Sequence, residues 1–467
     1  MTGPISAGGN VNVATNQTIH NTESGAAPST AAPGGVLSGG AQPITLPDRL
    51  PPVSLAVGAV AEAARHPGTL TLTLAAEGRS YRLTIHETGE SAVLAITPQK
   101  LADLNARARV ELLAVVHDQE LGVASYTRGV TIPQEQAARS LARLAILGAD
   151  LWRNLFAGPG ASRDSVALGE RIRERSRSAD LTITISGEIG GFPWHLLYDR
   201  DPAQEVITEG FWGLRHVLAL QPARARATMA LGDTRLGRGG PLTALAGYNR
   251  SLDAAAGRAV TAEQATALAN LGLFTREVPD EAALRSAFAA GSDVDLVYLY
   301  CHVVNAQPGQ QLVGAEGMLP PGVGATRIIL TEGTHALTLD ALSRAAPLDG
   351  TPRLRAGPLV LLNACGSAAL SPLSYDGLAP YLLDLGARAV VGTETDTPVV
   401  FGAAFGPQLL NALIRQGQPL GAALRATRRH FAAEPYFNHL GLLYTLYGTA
   451  DLAVAPSAAV LTQPGGV

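Results

Sequence analysis

The sequence predicts an α/β protein, a mainly parallel sheet flanked by helices, with a small α+β module and a disordered tail ahead of it. Three observations predict this. Continuous apolar runs such as Leu296-Val-Tyr-Leu-Tyr and Leu359-Val-Leu-Leu read as strands buried on both faces. Stretches of helical period separate them, the rhythm of a sheet covered by helices. Upstream, Leu70-Thr-Leu-Thr-Leu and Tyr81-Arg-Leu-Thr-Ile alternate instead, marking half-buried strands of a different module.

In chain order, residues 1–45 are rich in Gly, Ala, Asn, Thr and Pro. They hold too few large apolar side chains to offset their ordering entropy, so a mobile tail is expected. A binding tail, with a strand in the alternating patch Gly9-Asn-Val-Asn-Val-Ala-Thr-Asn-Gln-Thr-Ile, is the alternative there. Residues 46–135 form the accessory module, with a helix starting at Thr97-Pro98, Thr as the cap and Pro in the first turn. The main domain spans 136–455, divided into an amino half, 136–225, and a catalytic half, 226–455; residues 456–467 form a flexible tail.

The amino half opens with an amphipathic helix from Gln134 to about Ala157, then a helix over Val166–Arg177 and a strand over Leu181–Ile185. Phe192-Pro-Trp-His-Leu-Leu-Tyr-Asp199 follows, where His195 is either a ligand or base, or a buried packing residue; no acid or nucleophile stands beside it to favour the former.

Thr228–Leu231 is expected as a strand, Ser251–Leu271 as helical, Leu273–Val278 as a strand, and Asp280 as the cap of a helix to Ala290. The histidine-bearing strand Asp295–His302 comes next, then a Gly/Pro-rich hairpin and loop over 304–335. A short helix is expected from Thr338, ahead of the strand that ends at Cys365. Helices over Tyr375–Leu385, Val399–Gln416 and Leu420–Ala433, with strands over Ala387–Gly392 and Leu442–Gly448, complete the domain; Asp376 reads as a helix-start acid.

Composition limits the function. The 467 residues, 46% hydrophobic and 16% charged, suffice for a large core and more than one domain. A net charge of −4 with no basic tract argues against a phosphate-tracking nucleic-acid binder. Two cysteines, Cys301 and Cys365, cannot build a disulfide framework or a cysteine zinc site. A lone Cys301–Cys365 bridge stays open, although it would consume the candidate nucleophile. No basic leader with an apolar core and no 18-residue apolar run is present, so a cytoplasmic protein without a membrane span is expected. No metal or cofactor is expected, and the absence of a Gly-x-Ser-x-Gly elbow, His-Glu-x-x-His or phosphate loop argues against a different hydrolase.

The chemistry-bearing pair is His302 and Cys365, each where an apolar strand gives out. In open parallel sheets, sites gather at the carboxyl ends of strands. An ordinary thiol, of pKa roughly 8.5, is mostly protonated at neutral pH, and a neighbouring imidazole or helix N-terminus raises its thiolate fraction. Backbone N–H groups near Cys365–Gly366 and after His302 suit an oxyanion. The bland alternative is a buried small hydrophobe at 365 and a satisfied core histidine at 302. Shared placement at strand ends weighs against it. Cys301, pointing away from His302, is expected in the core.

Leu296-Val-Tyr-Leu-Tyr-Cys-His302, Leu361-Leu-Asn-Ala-Cys-Gly-Ser, Leu385-Gly-Ala-Arg-Ala-Val-Val-Gly-Thr, Tyr444-Thr-Leu-Tyr-Gly and Phe192–Asp199 together resemble the CHAT domain, the caspase-like group with separase relatives, over about 140–455. The resemblance implies a caspase-like fold and a cysteine endopeptidase with His302 as base and Cys365 as nucleophile. It implies a protein or peptide substrate, and an activating sensor or partner protein. A bacterial antiphage or cell-death role is implied in the same way.

Two positions depart from the family pattern. Val303 stands where relatives carry Gly after the histidine, which bears on the oxyanion donors Val303 and Gly366. Asn363 stands where relatives that cut after Arg or Lys carry an acid; Glu394 or Asp396 would have to supply that charge, unless both are solvated loop carboxylates. The competing class is a catalytically silent CHAT-like scaffold that acts as a protein-binding module.

Overall fold

The apolar runs form one sheet. The computed structural model describes residues 44–456, apart from 48–49, 58–67, 119–124, 188–191, 223–233, 238–239, 305–312, 315–316, 319–326, 332–336, 339–341, 343–352 and 365–377. The strands of this sheet in chain order are β1 (Gly68–Glu77), β2 (Ser80–Ile85), β3 (Ser91–Leu94), β4 (Leu181–Gly187), β5 (Val217–Pro222), β6 (Thr243–Tyr248) and β7 (Phe274–Val278). They continue as β8 (Leu296–Val304), β9 (Arg327–Ile329), β10 (Leu337–Thr338), β11 (Leu359–Ala364), β12 (Ala389–Thr393) and β13 (Tyr444–Gly448).

The order across the sheet is β7-β6-β8-β11-β12-β13-β5-β4-β1-β2-β3, with β9 beside the end of β8 and β10 beside β9. From β7 to β12 every pair is parallel; β13 is antiparallel to β12 and parallel to β5, and β4 and β1 continue parallel. The expected α/β architecture, a large central sheet between helices, is the one observed. The strands of the segment expected as an accessory module lie in this sheet too, β1 pairing with β4 from Gly68↔Leu181 to Leu74↔Gly187.

Local chemistry explains most boundaries. Leu70, Leu72 and Leu74 alternate inward along β1 while the threonines between them face outward. Helix α1 (Pro98–Val116) starts where Thr97 Oγ1 accepts the Lys100 N–H at 3.2 Å. The amphipathic helix α2 (Gln134–Phe156) buries Leu141, Leu144, Leu151 and Leu155, and α3 (Arg163–Ser178) follows. Asp280 caps the helix Glu281–Ala290 by accepting the Ala283 N–H at 2.7 Å.

Some boundaries differ from expectation. Ser251–Leu271 breaks into Ser251–Ala256 and α4 (Val260–Asn270), because Gly257 adopts a left-handed φ of 65° that ends the first helix. Thr338 ends a strand, β10 pairing with β9 through Arg327↔Thr338 with Leu337 buried, and Leu342, the last residue of the expected helical stretch, is helical. The chain before β13 forms a tight turn, His439–Leu443, so that strand starts at Tyr444. The expected strand at 228–231, the patch at 9–19 and Asp376 lie outside the described residues.

Helices α5 (Leu378–Asp384), α6 (Val399–Ile414) and α7 (Leu420–Ala432) complete the domain, and α6 packs against β11, α4 and α7. Among the described residues no helix is long and apolar enough to cross a membrane.

Candidate active site

The central strands place the candidate residues. β8 and β11 pair in parallel with Tyr300 opposite Asn363 and Cys301 opposite Ala364. Those are the residues just before His302 and Cys365. Cys365 and Gly366 themselves lie outside the described residues.

β8 continues past His302 to Val304, two residues further than expected, because β9 pairs with this end as His302↔Ile329, Val303↔Ile328 and Val304↔Arg327. Alternation turns Tyr298, Tyr300 and His302 to one side, and the Tyr300 hydroxyl donates to the Val399 carbonyl at 2.9 Å, at the start of α6. Cys301 and Val303 are buried.

His302 is half-buried. Burial lowers its pKa below the ordinary 6.5, and the charge of Asp396 opposes that effect. The imidazole is therefore neutral at pH 7, the form that accepts a proton. Asp396 is exposed, in the loop between β12 and α6.

Glu394, two residues earlier in that loop, turns inward and is only 7% exposed. Burial pushes its carboxyl up to about 7 against the hydrogen bond from Thr445, the charge of Arg109 and the Tyr447 hydroxyl. The last donates to Glu394 Oε1 at 3.3 Å. Two acids read alike in sequence thus part ways, one to solvent beside His302 and one into the interior.

Asn363 is 3% exposed and lies at the centre of a polar network. Its Nδ2 donates to the Gly402 carbonyl at 2.7 Å and to the Tyr298 hydroxyl at 3.2 Å, and its Oδ1 accepts from the Tyr444 hydroxyl at 2.7 Å. The Tyr298 hydroxyl donates onward to Gln264 of α4, whose Nε2 reaches the Ala403 carbonyl at 2.8 Å. The Tyr444 ring stacks on Phe405 of α6, with centroids 3.9 Å apart. Arg428 of α7, fully inside the protein, donates to the carbonyls of Gly213 at 2.9 Å, Gly441 at 3.2 Å and Tyr444.

Sequence reading missed this network. Its signals were the Tyr-x-Tyr alternation before His302 and the glycines spaced four apart in α6, Gly402 and Gly406.

His195 lies in the interior, with Nδ1 3.4 Å from the Thr445 hydroxyl, and burial holds its pKa well below the ordinary value. It turns from the Phe192–Asp199 segment toward β13. Asp199 of that segment accepts from the Ser176 hydroxyl at 2.8 Å, the Trp212 indole at 3.3 Å and Arg215, which ties the segment to α3 and to Trp212–Arg215.

A mainly parallel sheet flanked by helices, with His302 on β8 near the end of the neighbouring β11, belongs to the class of α/β proteins whose sites gather at carboxyl strand ends. The CHAT domain family profile matches residues 145–441, and the chain belongs to the CHAT domain family. A probable protease of Vitiosangium sp. (strain GDMCC 1.1324) is 26% identical over 281 residues, 57% of this chain and 33% of the relative. The chain thus spans about a third of the length of that relative.

Among solved structures, the Arg specific cysteine proteinase gingipain R aligns at 14% identity and a TM-score of 0.39, over 66% of this chain and 74% of that one. The Saccharomyces cerevisiae separase–securin complex aligns at 10% identity and a TM-score of 0.43, over 82% of this chain and 30% of that one. These scores are too low to bear on the fold, which rests on the strand order above.

Proposed function

We propose that this chain is a cysteine endopeptidase of the CHAT type, acting on a protein or peptide substrate with His302 as base and Cys365 as nucleophile. The observation that carries the reading is the parallel register of β8 and β11, which sets Cys301 opposite Ala364, the residues immediately ahead of the pair. The half-buried, neutral imidazole beside Asp396 and the membership of the CHAT family support it.

In this mechanism the neutral imidazole takes the Cys365 proton, and the thiolate attacks the scissile carbonyl. The N–H groups of Val303 and Gly366 hold the oxyanion. The imidazolium returns its proton to the leaving amine, and water then hydrolyses the thioester. Asp396 is the acid placed to meet a substrate's positive charge, since Glu394 and Asn363 face the interior. An activating sensor or partner protein would act on this site.

The silent-scaffold reading draws on one observation. Val303, a β-branched residue, is held in extended pairing with Ile328, and a ladder competes with an oxyanion for backbone donors. Alkylation of Cys365 with iodoacetamide, read by peptide mass, and hydrolysis of a mixed peptide library distinguish the two. The peptidase reading expects labelling and cleavage in wild type, loss of both in Cys365→Ala, and a drop of about 10²–10⁴-fold in cleavage in His302→Ala. Cleavage that persists in Cys365→Ala, or a wild type that is inert towards both reagents, sinks it.

A further inference from the structure

The relatives' pattern would put Asn363 in the substrate pocket, but its contacts argue for another role. Both amide hydrogens are spent, on the Gly402 carbonyl and the Tyr298 hydroxyl, and the amide oxygen takes the Tyr444 hydroxyl. At 3% exposure the side chain is out of a ligand's reach.

The helix opposite is shaped around this side chain. A Cβ on Gly402 would stand 2.9 Å from Asn363 Oδ1, and one on Gly406 would stand 2.8 Å from Asn363 Nδ2 and 2.7 Å from the Tyr298 hydroxyl. The two glycines let β11 and α6 approach closely enough for a short amide to bridge them. Asn363 is thus bonded to β8, α6 and β13 at once, two residues before Cys365 in sequence.

We propose that Asn363 is a positioning residue: it fixes the end of β11, the strand that leads into Cys365, against α6 and β13, and it does not touch substrate. The proposal rests on the assignment of Cys365 as nucleophile. A carboxylate at 363 would face the Gly402 carbonyl with no hydrogen to give, so it cannot be turned into a pocket for a basic side chain without breaking the bridge.

The test compares Asn363→Ala, Asn363→Asp, Tyr444→Phe and, as a control of purely structural effect, Leu112→Ala in the buried face of α1. Two quantities are read: the pH profile of Cys365 alkylation by iodoacetamide, and the rate and residue preference of peptide-library cleavage. Both Asn363 variants are expected to move the alkylation profile toward that of an ordinary thiol and to slow cleavage on the order of 10²-fold, with residue preference unchanged. Tyr444→Phe should move both the same way by less, and Leu112→Ala should lower the melting temperature while leaving the profile in place.

The proposal is overturned if Asn363→Asp keeps the wild-type rate and gains preference for Arg or Lys, which would make 363 a pocket residue. It is equally overturned if Asn363→Ala leaves the alkylation profile unmoved. If wild type cleaves no peptide, the peptidase assignment has failed separately, and the alkylation profiles alone decide the role of Asn363.

Discussion

Replacing Glu394 by Gln tests the electrostatics of the site wall. In the folded protein burial raises the Glu394 carboxyl from 4.5 to about 7, so the native state holds a proton that the unfolded chain releases. Stability must then fall as pH rises between those two values, because the native state binds the extra proton throughout that interval. The gap is equivalent to roughly 3 kcal/mol, present as a penalty in full above the folded pKa and absent below the unfolded one.

Gln keeps the shape and removes the ionisation. Urea denaturation of both proteins from about pH 5 to about pH 8 should show wild type losing stability relative to Glu394→Gln, by roughly 3 kcal/mol at the alkaline end. Parallel pH dependences in the two proteins would refute the reasoning, since Glu394 would then ionise at its ordinary pKa despite its burial.

Other outcomes follow from the same geometry. Asp396 holds the His302 pKa up against burial. Asp396→Asn should therefore move the acid limb of the Cys365 alkylation profile to lower pH, and an unmoved or raised limb contradicts the pairing. Gly148 of α2 lies against the Phe192–Asp199 segment, where a Cβ would meet the Leu196 carbonyl, Tyr198 N at 2.8 Å and Tyr198 Cβ at 2.7 Å. Gly148→Ala should cost roughly 1–3 kcal/mol in urea titration, because backbone cannot step aside as a side chain can.

The strands of the catalytic half were legible because residues buried on both faces leave an uninterrupted apolar signature, as in Leu296–Tyr300 and Leu359–Leu362. The amphipathic helix and the caps at Thr97 and Asp280 were legible because their signals are local. Glu394 was not, since a carboxylate in the run Thr393-Glu-Thr-Asp-Thr-Pro reads as solvated until β13 and Arg109 close over it. The bonds of Asn363 come from residues 39 to 81 positions away, and no spacing rule reaches that far. The union of the alternating strands with the central sheet was hidden for a similar reason. Alternation reports which side chains point inward, not which strand will be the neighbour.

The place of β13 has a consequence for how the chain comes together. Of the sheet strands it is the last to be translated, yet it lies between β12 and β5, joining the strands of the catalytic half to those of the amino half. Until Tyr444–Gly448 emerges, a nascent chain has no strand to join β12 to β5, and the hydroxyl that completes the Asn363 bridge is not yet made. Assembly finishes at the centre of the sheet rather than its rim, so a ribosome-bound fragment stopped short of Tyr444 would carry His302 and Cys365 without the strand that joins β12 to β5.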